Sequence, residues 1–521
     1  MGVFDWGVGS GDPTSGGVIL WTRVNPANWA TSTTLSWQVA TDSGFTSVVA
    51  SGSQGSANFS STRDYCVRID VTGLSAGTRY YYRMNYASTY TPTGRCRTLP
   101  ASDASPTQVK LAMLTCNNYE EGYFHAMATL ADDSTIDFVL HFGDFIYEYV
   151  GLNTPVAGRT LTLPSAGTYA TTLADYRYLY NTYRTDANLQ SLMQNHTMIF
   201  MIDDHEIAND LYWDNANGRV DAVDHPYKNT SNMNTLYYNA MKAWVEWTPS
   251  RETINGSYTS PQNYLLIYRA FQFGTLFTLN CLNERTFRSP HPCGELGDDR
   301  IYSSGCAQQS SSSQSMLGAT QLAWLQAQIE NSTTAWQVIA SPCMMAELEA
   351  PPADAEKWYL RLDQWDGYQY EREVVGGYCA GKRVLVLAGD IHAAVVGHVK
   401  TNYTSGTAFA VELTTPSLSS VTLGTELLEG SFGGMNEANH SGVFRNYNAH
   451  LAGFNGYVNG YGIVTIGYHG ARYEVFVCDR TNTNDTPTLT DTFFVSKSLV
   501  VSKATEGASS PSRSVARHIR K

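Results

Sequence analysis

Cys116, Asp144, the triplet Asp203-Asp204-His205 and the pair Asp390 and His392 share one property: each closes a short apolar run. The runs are KLAMLTC (110–116), DFVLHFGD (137–144), TMIFMIDD (197–204) and RVLVLAGD (383–390). In an open α/β sheet, sites form just outside the carboxyl ends of the strands, so four such endings can meet at one crevice. Carboxylates suit hard cations such as calcium or magnesium, whereas thiolate and imidazole suit iron or zinc. A set that mixes them predicts at least two metal ions of unlike character. Taken singly, each residue has a plainer role open to it. Cys116 could be a core cysteine or half of a disulfide, Asp144 a helix N-cap, and His205 the partner of a nearby carboxylate. Asp390 and His392 could line a strand end with no metal. Taken together and in this order, they predict a metal centre.

Such residues need elements to hold them. Three more runs, LFTLNCLN (276–283), WQVIASPC (336–343) and AFAVELTT (408–415), read as buried strands. Helical patterns separate several of the runs, among them YFHAMATLADD, LADYRYLYNTYRTD and GATQLAWLQAQIENS. Buried strands alternating with helices predict an α/β catalytic domain over residues 109–500, its sheet covered on both faces. From Gly460, YGIVTIGYHGARYEVFVC reads as a closing hairpin. Residues 1–98 differ: GVILWTRV, TLSWQVA, CVRIDVTGL and RYYYRMNY are short alternating strands broken by turn clusters. They predict a small β-sandwich of the fibronectin or immunoglobulin type, with Cys66 and Cys96 flanking its last hairpin as a candidate bridge. Residues 99–108 are a linker by composition, and 501–521 form a basic tail that is either solvated or folded over a site.

Composition narrows the function. The formal net charge is −13, which argues against a stable nucleic-acid partner, because a phosphate backbone calls for excess Lys and Arg. An acidic protein still binds phosphate esters where bound cations reverse the local field. No apolar run approaches the roughly 18 residues needed to cross a bilayer. The opening MGVFDWGVGSGDP lacks the charged and apolar regions of a signal peptide and reads as a mature-type start. Nine cysteines without CxxC spacing, together with N-x-S/T sequons such as those at Asn195, Asn229 and Asn402, suit an exported protein with disulfides, in the extracellular space or a periplasm. The odd count leaves at least one sulfur without an internal partner.

The order GD-x-x-x, D-x-HE, GD-x-H resembles the calcineurin-like metallophosphoesterases, and the finer text resembles the PhoD-type alkaline phosphatases and phosphodiesterases. The likeness is carried by GSGDPTSGGVILWTRV (9–24), HFGDFIYEY (141–149), LADYRYLYNTYRTD (173–186), DDHEIAND (203–210), MLGATQLAWLQ (316–326), DQWDGYQYER (363–372), GDIHAAVV (389–396) and TTPSLSS (414–420). It spans residues 5 to about 480. The resemblance implies a four-layer α/β/β/α sandwich behind the N-terminal sandwich. It implies ferric iron with one or two calcium ions, with zinc, manganese or magnesium as the fallback. Cys116, Asp144, Tyr147 and His392 would hold the iron with Asp390 close by, and Asp144 would bridge to calcium. Asp204 would bind calcium, Asp203 would be a ligand or a support, and His205 would bind phosphate or protonate the leaving oxygen. With Cys116 as a ligand, eight cysteines remain, enough for four disulfides. Two positions depart from relatives: Asn283 stands where an acid is usual, and Met193 where a His is often seen. Arg285 or Arg288 would still face the phosphate.

The expected activity is hydrolysis of phosphomonoesters and phosphodiesters by in-line attack of a metal-bound hydroxide, since cations clamp the ester oxygens and acidify bound water. The catalytic residues would be His205, Asp144 and Asp204, in a chain expected to act as a monomer. A phospholipase D-like phosphodiesterase is the alternative within the same chemistry, and a non-enzymatic surface binding protein the alternative outside it.

Overall fold

The computed structural model describes residues 2–293, 302–303, 306–351, 358–428 and 435–504. Two large sheets dominate a mixed α/β fold. The first has ten strands, with Gln108–Leu114, Phe138–His141 and Thr197–Phe200 parallel at its centre. The second has seven, with Phe277–Cys281, Trp336–Ser341, Val384–Ala388 and Ala408–Thr414 parallel. All seven apolar runs are therefore strands. Residues of Thr197–Phe200 and Trp336–Ser341 are buried throughout, as expected of strands covered on both faces.

Side-chain alternation divides the core. Leu111, Met113, Leu140 and Ile199 of the first sheet share one apolar cluster with Leu279, Val338, Leu387 and Leu413 of the second. Their neighbours Ala112, Val139 and Met198 point the other way and pack with Met127, Leu179, Leu189 and Trp244. Those four come from helices Ala126–Asp132, Leu173–Tyr183, Ala187–Asn195 and Asn232–Trp247. On the far side of the second sheet, Ile339 and Val386 meet Leu325, Val375 and Phe444, from helices Gly318–Asn331, Gln369–Tyr378 and His440–Tyr447. The helix Leu173–Tyr183 starts where Thr172 and Asp175 form a reciprocal capping box, which satisfies N–H groups that have no partner within the helix.

The first hundred residues are woven into this frame. Strands Val8–Thr14, Gly17–Arg23 and Cys66–Val71 extend the ten-stranded sheet, Ser10 and Gly11 pairing in parallel with Thr197 and Met198. Leu35–Ala40, Val48–Gln54, Arg79–Tyr86, Thr89–Tyr90 and Gly94–Arg97 form a separate five-stranded sheet. Val18, Leu20 and Ile69 pack against Val39, Tyr82 and Met84 between them.

Three expectations need correction. Cys66 and Cys96 are not bonded to each other. They belong to different sheets, and Cys66 packs with the helices beside Trp21 and Trp244 while Cys96 faces the space between the two N-terminal sheets. Four disulfides do not form either: among the described residues the one bridge is Cys293–Cys306, and Cys281, Cys343, Cys379 and Cys478 stay buried as thiols. The hairpin Asn459–Gly467 and Gly470–Cys478 is present but does not close the sheet, which continues through Thr488–Ser496 and Val501–Lys503. The tail from 505 onward lies outside the described residues.

Candidate metal centre

Four of the donors stand just past strand ends where the backbone bends sharply. Cys116, Asp144, Asp390 and His392 all have left-handed backbone, with φ of 53°, 55°, 63° and 53°. That region costs a residue with a Cβ about 1 kcal/mol or more, and it persists only where the surroundings enforce it. Gly143, at φ 117°, prepares the turn: a Cβ there would lie 2.2 Å from the backbone nitrogen of Asp203. At Gly389 a Cβ would lie 2.7 Å from Thr115 Oγ1, so glycine lets two strand ends approach.

The donors converge around Asp144. Cys116 Sγ lies 3.4 Å from Asp144 Oδ2, and the Tyr147 hydroxyl lies 3.4 Å from that same oxygen and 3.4 Å from His392 Nε2. Ser420 donates to Tyr147 Oη at 2.7 Å. Three sets of donor atoms each gather within 4.8 Å: Cys116, Asp144 and His392; Asp144, Asp204 and His205; and Asp144, Asp203, Asp204 and Asp390. Asp144 is common to all three. Cys116 and Tyr147 both approach Asp144 through Oδ2, whereas the His205 backbone N–H meets its Oδ1 at 3.3 Å.

The electrostatics of this set fit cations. Burial, then the neighbouring Asp144 and Asp390, pushes the Cys116 thiol well above its ordinary range. Burial likewise raises Asp144 and Asp203, with their acidic neighbours adding to it. Burial alone would raise Asp204 too, but Arg285, His205 and Arg288 bring it down to about 2. His392 is pushed down to about 4 by burial and stands neutral, its Nδ1 without a partner. A buried pocket that crowds anionic donors, with one guanidinium among them, is stable in its charged form only with further positive charge. The residues present therefore fit bound metal ions.

A buried scaffold holds the donors in place. Glu206 accepts backbone N–H groups of Asp144 at 3.0 Å, Phe145 at 2.7 Å and Asp203 at 2.7 Å, locking two strand ends together. Glu148 accepts from His205 Nδ1 at 2.7 Å and from the Asn209 N–H at 2.7 Å. The Tyr147 ring stacks on the imidazole, centroids 4.1 Å apart. His205 is thus clamped with Nε2 left over. Burial opposes its charge, but Glu148, Asp144 and Asp204 outweigh that and raise it well above the usual histidine range. Gln364 donates to Asp390 and Asp363. Glu148, Glu206 and Gln364 were not singled out from sequence, although they lie inside the motifs HFGDFIYEY, DDHEIAND and DQWDGYQYER.

The centre opens into a cleft of about 430 Å³, lined by Asp144, Tyr147, Asp204, His205, Asp390 and His392 and also by Glu121, Asp224, Lys228, Arg361 and Glu426. Cys116 and Asp203 lie behind this lining. Arg285 is placed differently from the sequence expectation. It is fully buried, pairs with Asp203, reaches Asp390 at 2.8 Å, Asp363 at 3.1 Å and Asp204 at 3.4 Å, and does not line the cleft. Arg288 is buried as well, donating to the carbonyls of Leu211 and Asp363. Asn283 accepts from the Thr286 N–H at 3.3 Å in a buried turn, and Met193 packs among the helices on the outer face of the first sheet. Neither lines the cleft.

Set against known proteins, the chain matches the family model of the PhoD-like phosphatases over residues 111–475 and that of their N-terminal domain over residues 2–100. It is 30% identical over 483 residues to the alkaline phosphatase D of Bacillus subtilis (strain 168), covering 89% of this chain and 76% of that protein. The solved structure described as "Structure of PhoD" is similar at a TM-score of 0.81 and 28% identity, over 96% of this chain and 92% of that one.

Proposed function

The chain belongs to the PhoD-like phosphatase family and is a phosphoric ester hydrolase, and from that premise we propose that it acts on phosphomonoesters and phosphodiesters with one iron and one or two calcium ions. The observation that carries this is the position of Asp144 between two unlike donor sets. Cys116, Asp144, Tyr147 and His392 would hold iron, for which thiolate, phenolate and imidazole are suited; Asp144, Asp203, Asp204 and Asp390 would hold calcium. When bound, such ions supply the positive charge that lets an anionic ester be attacked in line by water.

The protein groups have separate tasks. His205, protonated and held by Glu148, hydrogen-bonds the phosphate or passes its proton to the leaving oxygen. Arg285 keeps the carboxylates of Asp203 and Asp390 turned toward the centre, a positioning role. We read the fold more finely as an α/β/β/α sandwich carrying an N-terminal β-sandwich; the three core clusters and the N-terminal core support that reading. The Cys293–Cys306 bridge supports export. No helix among the described residues is long and apolar enough to cross a membrane. We also propose that the chain acts alone, as a monomer. Elemental analysis of the purified protein beside steady-state turnover of one monoester and one diester tests the proposal. Iron and calcium with turnover are expected; zinc or manganese in their place would overturn the metal assignment, and a fully metallated protein inert on both esters would overturn the function.

A further inference from the structure

Three guanidiniums surround the centre, and one of them faces the cleft. Arg285 and Arg288 are buried among carboxylates and carbonyls behind the lining. Arg361 lines the cleft together with Asp390, His392 and His205. Among the described residues its carboxylate partner is Glu426, 3.5 Å from Nη2, and its Nε–H is buried without an acceptor. Glu426 lines the cleft too. Lys228, which with His205 supplies the remaining positive charge of the lining, is exposed on its long stem.

We propose that Arg361 is the specificity-determining cation of this site, which favours phosphomonoesters over phosphodiesters by binding the oxygen that a diester has esterified. The inference rests on the phosphoester reading above. A monoester carries three unesterified oxygens and, at alkaline pH, two negative charges; a diester carries two such oxygens and one charge. A fixed guanidinium therefore stabilises the monoester more, and its planar fork matches a pair of phosphate oxygens. The contact to Glu426 is long for a charge-assisted hydrogen bond, which typically closes to about 2.7–2.9 Å. Glu426 thus keeps the guanidinium at the cleft while giving it up readily to a stronger acceptor. The same carboxylate repels an arriving dianion, so it sets how tightly the monoester is held.

The test is steady-state hydrolysis of p-nitrophenyl phosphate and bis(p-nitrophenyl) phosphate by the metal-loaded full chain, with inhibition by inorganic phosphate. Arg361→Ala is expected to lower kcat/KM about 100-fold for the monoester and about tenfold or less for the diester, and to weaken phosphate inhibition in parallel with the monoester. Arg361→Lys is expected to recover part of the monoester rate, and Glu426→Gln to tighten phosphate inhibition. An equal loss on both esters, or unchanged phosphate inhibition, in a variant with wild-type melting temperature and metal content would overturn the proposal. If Arg361→Ala does not fold, Glu426→Gln decides: no tightening by phosphate overturns it. A wild-type protein that turns over neither ester would instead overturn the reading on which this rests.

Discussion

Asp144 is the residue through which every donor set passes, and that makes the two halves of the centre separable by mutation. Cys116 enters one set and Asp144 all three. On the proposed metal assignment, Cys116→Ser is therefore expected to lose iron while keeping calcium, whereas Asp144→Asn should lose both; elemental analysis of the two variants checks this. Glu148 acts at one remove, holding His205 by Nδ1. Supporting hydrogen bonds of this kind are typically worth about 10–100-fold. Glu148→Gln is expected to lower kcat by that order with a smaller change in KM, and to bring the alkaline fall of the pH–rate profile to lower pH. The sign follows from the charge: without the carboxylate the imidazolium gives up its proton more easily, so the acid form vanishes sooner as pH rises.

At the scale of elements, strand positions were readable and strand partnerships were not. A short, continuous apolar run reports burial on both faces, and all seven runs are strands. Their ends announced Cys116, Asp144, Asp203, Asp204, His205, Asp390 and His392, which the fold does bring together. Pairing depends on neighbours far along the chain, which is why the continuation of the N-terminal strands into the large sheet could not be read. Nor could it be read that Cys66 and Cys96, which flank one hairpin in sequence, lie on different sheets, or that Arg285, past the end of its strand, faces inward. Glu148 and Glu206 were hidden by their type, since an acid inside a motif looks like another ligand until its hydrogen bonds are seen. One strand carries a consequence of its own. Glu412, within Ala408–Thr414, is fully buried and accepts N–H groups of Met345 and Ala346, and burial still raises its carboxyl from 4.5 to about 7. A raised acid binds its proton more tightly when folded than when unfolded. Between those two values its contribution to stability therefore falls as pH rises, by up to about 1.4 kcal/mol per pH unit. Urea unfolding at pH 5, 6 and 7 is expected to show this loss, and Glu412→Gln to flatten it.

On the scale of the whole molecule, the N-terminal hundred residues are structural partners of the catalytic core. They pair with the strand Thr197–Phe200, and Trp21 and Trp6 pack on Trp247. Removing residues 2–100 would leave a parallel strand edge unpaired and an apolar face uncovered, a combination that promotes association between chains. The truncated protein is expected to aggregate, as read by size-exclusion chromatography and the soluble fraction on expression, and not to persist as an active core.

The left-handed bends at Cys116, Asp144, Asp390 and His392 fix the direction in which each of these donors leaves its strand. The flanking strands impose that direction, so a bound ion has little backbone to rearrange, although its charge is still needed to hold the crowded donors ionised. Affinity that would otherwise go into ordering loose loops remains available for selecting among ions, and a looser, more comfortable backbone would give up that discrimination.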